Sequence, residues 1–364
     1  MSNRLRAARH VGRPPHVKGA VVRSAQNEPS ADWTEPGVFE VCPGVYRIPL
    51  PLPTDGLRAV NTYAIEDGAT LVLIDPGWAI TAARDLLAKA LAVLGCGVGD
   101  VSRFLVTHIH RDHYTLAVAL RREFGIRVSL GVGEQPSLAI LADPDRKPFT
   151  DHYAQLFRCG AEPVVQQLRD LPADSHDPTI WEQPDDWLHS SQIPLTARQL
   201  RVLPTPGHTR GHVVFVDDAG GLLFAGDHVL PHITPSVGFE VAVDELPLGN
   251  YLDSLRLVRS QPDRRLLPAH GPVAPSAHAR VDELLDHHAG RLDQIHARVD
   301  AGAHTAYEVA RALSWTRHRR TFAELDAFNQ MLAVTETEAH LGLLASQGRL
   351  GRADDDGVRH YTPT

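Results

Sequence analysis

The stretch Phe104–Thr115, FLVTHIHRDHYT, places His108, His110, Asp112 and His113 within six residues, directly after an apolar β-forming run. Successive side chains on a strand point to opposite faces. His108 and His110, two apart, therefore aim the same way at the strand's end. Asp112 and His113 fall in the turn into the next helix and are displaced from the first pair. A cluster of this shape can serve two metal centres a few ångströms apart. Imidazole and carboxylate are ordinary zinc ligands and also suit iron and manganese.

The flanking segments place this cluster in a layered protein. Upstream, VFEVCPGVYRIPL, NTYAIED and TLVLIDPG are short β-rich runs separated by Gly, Pro or Asp. AITAARDLLAKALAVLG follows with helical spacing and is closed by Gly95. Downstream, LAVALRREFG reads as a helix ended by Gly125, and strands return at QLRVLPTPGH, HVVFVDD, LLFAGDH and RRLLPAHG. Interleaved strands and helices predict an α/β protein whose sheets are covered by helices. Residues 131–198, rich in Pro and Asp around one helical segment, DHYAQLFRCG, read as an inserted cap.

Three further strand-end motifs follow the first in order. TPGHTRGH offers His208, FAGDH offers Asp227, and LPAHGP offers His270, each where an apolar run meets a Gly-bearing turn. Loops at strand ends are where α/β folds assemble their sites. His212 and Arg210, close to His208, read as structural.

After Pro275 the character becomes helical. Val281, Leu284, Leu285, His288, Leu292, Ile295 and Val299 share one helix face. Thr305 with Glu308, and Thr335 with Glu338, form capping-box patterns that predict two further helix starts. The last sixteen residues carry an Asp-Gly turn between short extended runs, which predicts a hairpin.

The 364 residues suffice for two domains, or for one large domain with an appendage. The expected division is a disordered basic tail over 1–36, a catalytic domain over 37–274 containing the 131–198 cap, and a winged-helix-like domain over 275–364. The tail lacks the apolar core of a secretory signal, and a transit-like peptide is its alternative reading. Net charge is −8, which gives no global attraction to nucleic acid or to an anionic membrane. No apolar run has bilayer-spanning length. Cys42, Cys96 and Cys159 are widely spaced, with no CxxC, so no disulfide framework is expected and a cytoplasmic location fits.

Over roughly residues 38–273 the chain resembles the metallo-β-lactamase-fold hydrolases. The resemblance rests on Asp75 in IDPG, the H-x-H-x-D-H run, His208, Asp227 and His270, in that order. It implies a four-layer αββα sandwich with a dinuclear site between the sheets. Residue by residue, it makes His108, His110 and His208 ligands of a first metal and Asp112, His113 and His270 ligands of a second. Asp227 becomes the bridging carboxylate, and Asp75 a group behind the ligands that orients their loop. The implied cofactors are two divalent ions, zinc first, with iron or manganese as alternatives. The chain departs from the family where x-G-G often follows the DH pair; here Tyr114, Thr115 and Leu116 stand. His228, not a small hydroxyl residue, follows Asp227. His110 is not replaced by Glu as in the superfamily's di-iron flavoproteins, which weakens an oxygen-reducing reading. More loosely, residues 275–364 resemble the winged-helix domain of the branch that includes the lactamase-β-like endoribonucleases.

The implied chemistry is metal-assisted hydrolysis, in which two cations flanking a water lower its pKa to about 7. Asp112 is the expected proton holder. Tyr114 and His228 are the nearest candidates for an oxyanion donor or leaving-group acid, with a packed aromatic and an orienting histidine as the plainer readings. The expected substrate is a small thioester, lactone or ester. A phosphodiesterase or endoribonuclease is the alternative, and a persulfide dioxygenase or a non-catalytic binding module lies further off. Residues 275–364 hold ten Arg and no Lys against thirteen acids, and the hairpin tip is Ala353–Gly357, ADDDG. A nucleic-acid wing needs a basic footprint, so the charge argues against nucleic acid as a partner. The oligomeric state is not fixed by the sequence.

Overall fold

The computed structural model describes residues 22–24, 32–53, 56–147, 149–171, 177–316 and 319–364. Strands β1 (Arg23–Ser24), β2 (Phe39–Cys42), β3 (Val45–Pro51), β4 (Ala59–Asp67) and β5 (Thr70–Ile74) are followed by helix α1 (Thr81–Val93) and strand β6 (Val101–Leu105). Then come α2 (Arg111–Phe124), β7 (Arg127–Gly131), α3 (Gln135–Leu141), α4 (Thr150–Arg158), α5 (Glu162–Arg169), β8 (Asp186–Leu188), β9 (Ser191–Pro194), β10 (Gln199–Pro204), β11 (Val213–Asp217) and β12 (Leu222–Gly226). The chain closes with α6 (Pro247–Ser260), β13 (Arg265–Pro268), α7 (Ala277–Asp300), α8 (Ala306–Arg311), α9 (Ala327–Ser346), β14 (Leu350–Asp355) and β15 (Val358–Pro363).

Strands β1 to β8 form one mixed sheet in sequence order, and β13-β12-β11-β10-β9 form a second. Alternation along the strands gives each sheet two apolar faces. Val45, Tyr63, Ile65, Val72 and Leu105 of the first sheet meet Leu200, Val202, Phe215, Phe224 and Leu267 of the second in a shared core. On the first sheet's other face, Leu71, Leu73, Phe104 and Val128 pack against Leu87 and Leu91 of α1 and Ala117 and Leu120 of α2. On the second sheet's other face, Val214, Val216 and Leu223 pack against α4 to α9. The layers therefore run helix, sheet, sheet, helix, as the resemblance implies.

Several expectations change. Only part of the 1–36 tail can be compared, since residues 1–21 and 25–31 lie outside the described residues. Arg23–Ser24 pairs in parallel with Phe39–Glu40, Arg23 meets Glu35 at 2.6 Å, and Arg58 bonds Asp32, so the described part lies on the sheet. The 131–198 segment holds more regular structure than one helix. Strands β8 and β9 close the facing edges of the two sheets, and α5 adds a helix. Pro163 sits at the start of α5, where its missing N–H would be unpaired in any case. Helix α9 begins at Asp326, which caps Asn329 N–H, well before Thr335. The hydroxyls of Thr335 and Thr337 instead donate back to the Leu332 and Ala333 carbonyls inside the helix. The Thr305–Glu308 capping box is formed, and the terminal hairpin turns at Asp356 and Gly357, both with positive φ.

Candidate metal centre

Each ligand-type residue follows the end of a strand. His108 and His110 lie between β6 and α2, His208 follows β10, Asp227 follows β12 and His270 follows β13. The Thr107 carbonyl accepts from Val213 N–H at 2.8 Å, which joins the two sheets directly behind the cluster. His110 precedes the first turn of α2, and Asp112 lies in that turn, where the helix dipole favours a carboxylate.

The structure brings all seven predicted residues into two adjoining groups. Ligand atoms of His108, His110, His208 and Asp227 lie within 4.8 Å of one another, as do those of Asp112, His113 and His270. His110 Nδ1 is 3.0 Å from His108 Nε2 and 3.2 Å from His208 Nε2. Asp227 joins the groups. Its Oδ2 is 3.9 Å from His108 Nε2 and 3.5 Å from His208 Nε2, while its Oδ1 is 3.7 Å from His113 Nε2 and 3.3 Å from His270 Nε2. Asp112 Oδ2 stands 3.4 Å from His113 Nε2 and 3.3 Å from His270 Nε2. Ligands about 2.1 Å from one tetrahedral ion are about 3.4 Å apart, so these separations fit shared cations.

The surrounding hydrogen bonds fix the tautomers. Thr107 Oγ1 donates to Asp75 Oδ2, which leaves its lone pair for His108 Nδ1–H at 3.0 Å. His113 Nδ1–H donates to Asp75 Oδ2 at 3.0 Å, His208 Nδ1–H to the Ser236 carbonyl at 2.8 Å, and His270 Nδ1–H to the Ala59 carbonyl at 2.7 Å. Each ring therefore turns a bare Nε2 inward. Among the described residues, His113 Nε2, His270 Nε2 and Asp227 Oδ1 are buried without a hydrogen-bond partner. Buried lone pairs converging in this way need a cation between them, so the residues fit divalent metal.

Electrostatics agree. Burial holds His108 well below the ordinary imidazole range, takes His110 down to about 3 and lowers His208. Burial pushes the other way on Asp112 and Asp227, but neighbouring imidazoles more than reverse it and keep both ionised. Burial alone would lower His113 and His270. Asp112 and Asp227 outweigh it, raising His113 well above its usual range and His270 to about 10. Three neutral rings stand beside two ionised carboxylates, and it is the pull of those carboxylates on His113 and His270 that a bound cation would take over.

Asp75 lies behind the site and does not face the ions. It has φ +51°, and its carboxylate accepts from Thr107 N–H, Thr107 Oγ1–H and His113 Nδ1–H, at 2.8, 2.8 and 3.0 Å. His212 stacks on His108, donates to Thr205 Oγ1 at 2.9 Å and accepts from Asp227 N–H at 3.2 Å, so it is structural as expected.

Tyr114 and His228 lie outside both groups of converging ligand atoms. Tyr114 is fully buried in the α1–α2 core, stacks on Trp181 and donates its hydroxyl to the Glu182 carbonyl. The helical turn from Asp112 to Tyr114 points them in different directions. His228 is also fully buried, and its ring lies edge-on to Tyr251 at 5.3 Å. Burial takes it down to about 3, so its ring is neutral.

Several supporting residues escaped the sequence reading. Asn61 donates to the Pro268 and Gly271 carbonyls at 3.0 and 2.8 Å, and Tyr63 to Pro268 at 2.8 Å, gripping the His270 loop from β4. Asn is disfavoured in strands, and its place in NTYAIED was the available signal. Thr107 was legible only as the residue before His108.

An αββα sandwich that gathers imidazoles and carboxylates at its strand ends defines a metal-dependent hydrolase. The family model described as "Metallo-beta-lactamase superfamily" matches residues 55–270, more than half of the chain, and the chain belongs to that superfamily. It is 38% identical over 257 residues to a lactamase-like protein, nscB, of Trichophyton rubrum, spanning 70% of this chain and 63% of that protein. It is 27% identical over 320 residues to the nscB protein of Aspergillus fumigatus, spanning 83% and 78%. Against that of Arthroderma benhamiae the match spans only 41% of the relative. Among solved structures, a beta-lactamase domain protein from Burkholderia ambifaria superposes with TM-score 0.75 at 28% identity, covering 92% of this chain and 96% of that one. A metallo-beta-lactamase family protein from Thermus thermophilus gives 0.73 at 28%, covering 89% and 100%.

Proposed function

We propose that the chain hydrolyses a small thioester, lactone or ester using two divalent cations, most simply zinc. His108, His110 and His208 would hold one, Asp112, His113 and His270 the other, and Asp227 would touch both. The observation that carries this reading is the division of Asp227, with one oxygen facing each group of bare imidazole nitrogens. Cations held there supply Lewis acidity and lower the pKa of water to about 7.

The chain's own residues do the rest. His110 and Asp112 are the least buried of the seven, so the site opens on their side. Asp112, on that more open side, is the carboxylate that would accept a proton from an attacking water. Asp75, Thr107 and His212 keep the rings and Asp227 from reorienting as charge develops.

The order α7, α8, α9 and hairpin supports a winged-helix reading of residues 275–364. Several of its arginines are drawn inward or into local pairs: Arg359 meets Glu338 at 2.7 Å, Arg349 meets Asp293 at 3.0 Å, and Arg291 lies on the Trp315 ring. With Asp354, Asp355 and Asp356 at the hairpin tip, a small-molecule substrate is favoured over nucleic acid. Among the described residues no helix is long and apolar enough to cross a membrane.

The test is metal analysis of the purified protein, then one panel of thioesters, lactones, β-lactams, bis-aryl phosphodiesters and single-stranded RNA. Two equivalents of metal and turnover of an acyl compound are expected. Cleavage of RNA at low enzyme concentration with the acyl compounds untouched would overturn the substrate class.

A further inference from the structure

Glu134 is fully buried on a short turn after β7, away from both groups of ligand atoms. Its Oε1 accepts from the Thr209 hydroxyl at 2.5 Å, one residue beyond His208. Strand β7 pairs in parallel with β6, Leu105 opposite Ser129, and β6 leads into His108 and His110. One side chain on the turn after β7 thus holds the loop that carries His208 against the strand pair that leads to the other two imidazoles. The backbone around it is equally close. A Cβ on Gly131 would stand 2.0 Å from the Gly211 carbonyl oxygen, one on Gly133 2.6 Å from that of Arg210, and one on Gly211 2.2 Å from Glu134 N. These glycines let the 131–134 turn press directly on the 209–211 loop, and Gly131 and Gly133 have no side chain that could replace the carboxyl's grip.

We propose that Glu134 is a positioning residue for the first metal group, holding the His208 loop in register with the His108–His110 loop. Nothing in the sequence pattern marks it, because it lies outside every ligand motif. The assignment rests on the reading that His108, His110 and His208 hold one cation. Asp75 secures the loop before α2, and Glu134 secures the second-sheet loop that carries His208. Without Glu134, the 205–212 loop keeps its ends in β10 and β11 but loses the contact that sets the distance from His208 to His110.

The experiment is a Co2+ titration of metal-free full-length protein against a chromophoric chelator, read as affinity and as the visible absorption of bound Co2+. H208A identifies the binding step that belongs to the first group. Glu134→Ala is expected to weaken that same step by about tenfold or more and to leave the other step unchanged, with E134Q within about threefold of wild type because its amide oxygen still accepts from Thr209. Thr209→Val, which removes the donor, is expected to weaken the step several-fold and decides the matter if E134A does not fold. Wild-type Co2+ affinity in folded E134A, or in T209V where E134A is lost, overturns the assignment of Glu134 alone. Wild-type binding in H208A overturns the parent reading of the site, and this inference with it.

Discussion

Asp75 shows how a single residue can carry strain and purpose together. Its left-handed backbone is uncommon for a side chain with a Cβ, although Asp and Asn tolerate it best. The Thr62 hydroxyl donates to its carbonyl at 2.7 Å, and three donors fill its carboxylate. Asp75→Asn keeps the backbone but replaces one acceptor oxygen with a donor facing Thr107 or His113. Its metal affinity is expected to fall about ten- to a hundredfold with little change in the circular dichroism spectrum. Asp227 lies nearer the chemistry. Alanine at Asp227 or at His110 is expected to abolish turnover of whatever acyl substrate the panel identifies, while thermal unfolding stays cooperative. Full activity in either variant would remove the assigned site. Asn61 acts on stability instead. Asn61→Ala leaves the Pro268 and Gly271 carbonyls and the buried Arg47 without a partner that they now share. The expected loss in urea unfolding is at least about 2 kcal/mol.

At the scale of elements, the site depends on loops that press backbone against backbone. Gly207 has φ +140°, and a Cβ there would lie 2.4 Å from Tyr251 Cα at the start of α6. Gly207→Ala must therefore push α6 away from the His208 loop. We expect a loss of about 2 kcal/mol or more in denaturant unfolding, together with reduced metal binding, since strain and displacement act at one point. Elements with strong local signals were legible before folding. Helix α1, strand β6 and the terminal hairpin follow from apolar period and turn residues alone. Helix α5 and the first turns of α9 were not, because the Pro- and Asp-rich composition of 131–198 reads as irregular and Thr335 imitates a cap. Burial of Val164, Val165 and Leu168, and of Met331 and Val334, outweighs those local preferences.

Across the whole molecule, one apolar cluster spans the boundary expected at residue 274. Val214, Val216 and Leu223 of the second sheet share one apolar cluster with Leu156 of α4, Val281 of α7, Val309 of α8, Leu344 of α9 and Tyr361 of β15. A chain ending at Pro275 would expose that whole face. It is expected to be insoluble or to bind a hydrophobic dye without a cooperative unfolding transition. A soluble, cooperatively folding truncation would show that the C-terminal segment is a separable appendage. Metal should act on the same scale, because it binds only the folded arrangement. At a free concentration a hundred times its dissociation constant, each site is expected to add about 2.7 kcal/mol to unfolding stability, lost again on chelation.

The sequence by itself determined the layered α/β class and the ligand-type residues, because strand periodicity and the spacing of His108, His110, Asp112 and His113 are local properties. His208, Asp227 and His270 were legible for the same reason, each being a polar residue closing an apolar run. Only the tertiary structure decided which oxygen of Asp227 faces which group, that Tyr114 and His228 turn away, and that Asn61, Thr107 and Glu134 hold the loops. Those outcomes depend on contacts between segments up to 210 residues apart in the chain, and no local pattern encodes the distance between two loops on different sheets.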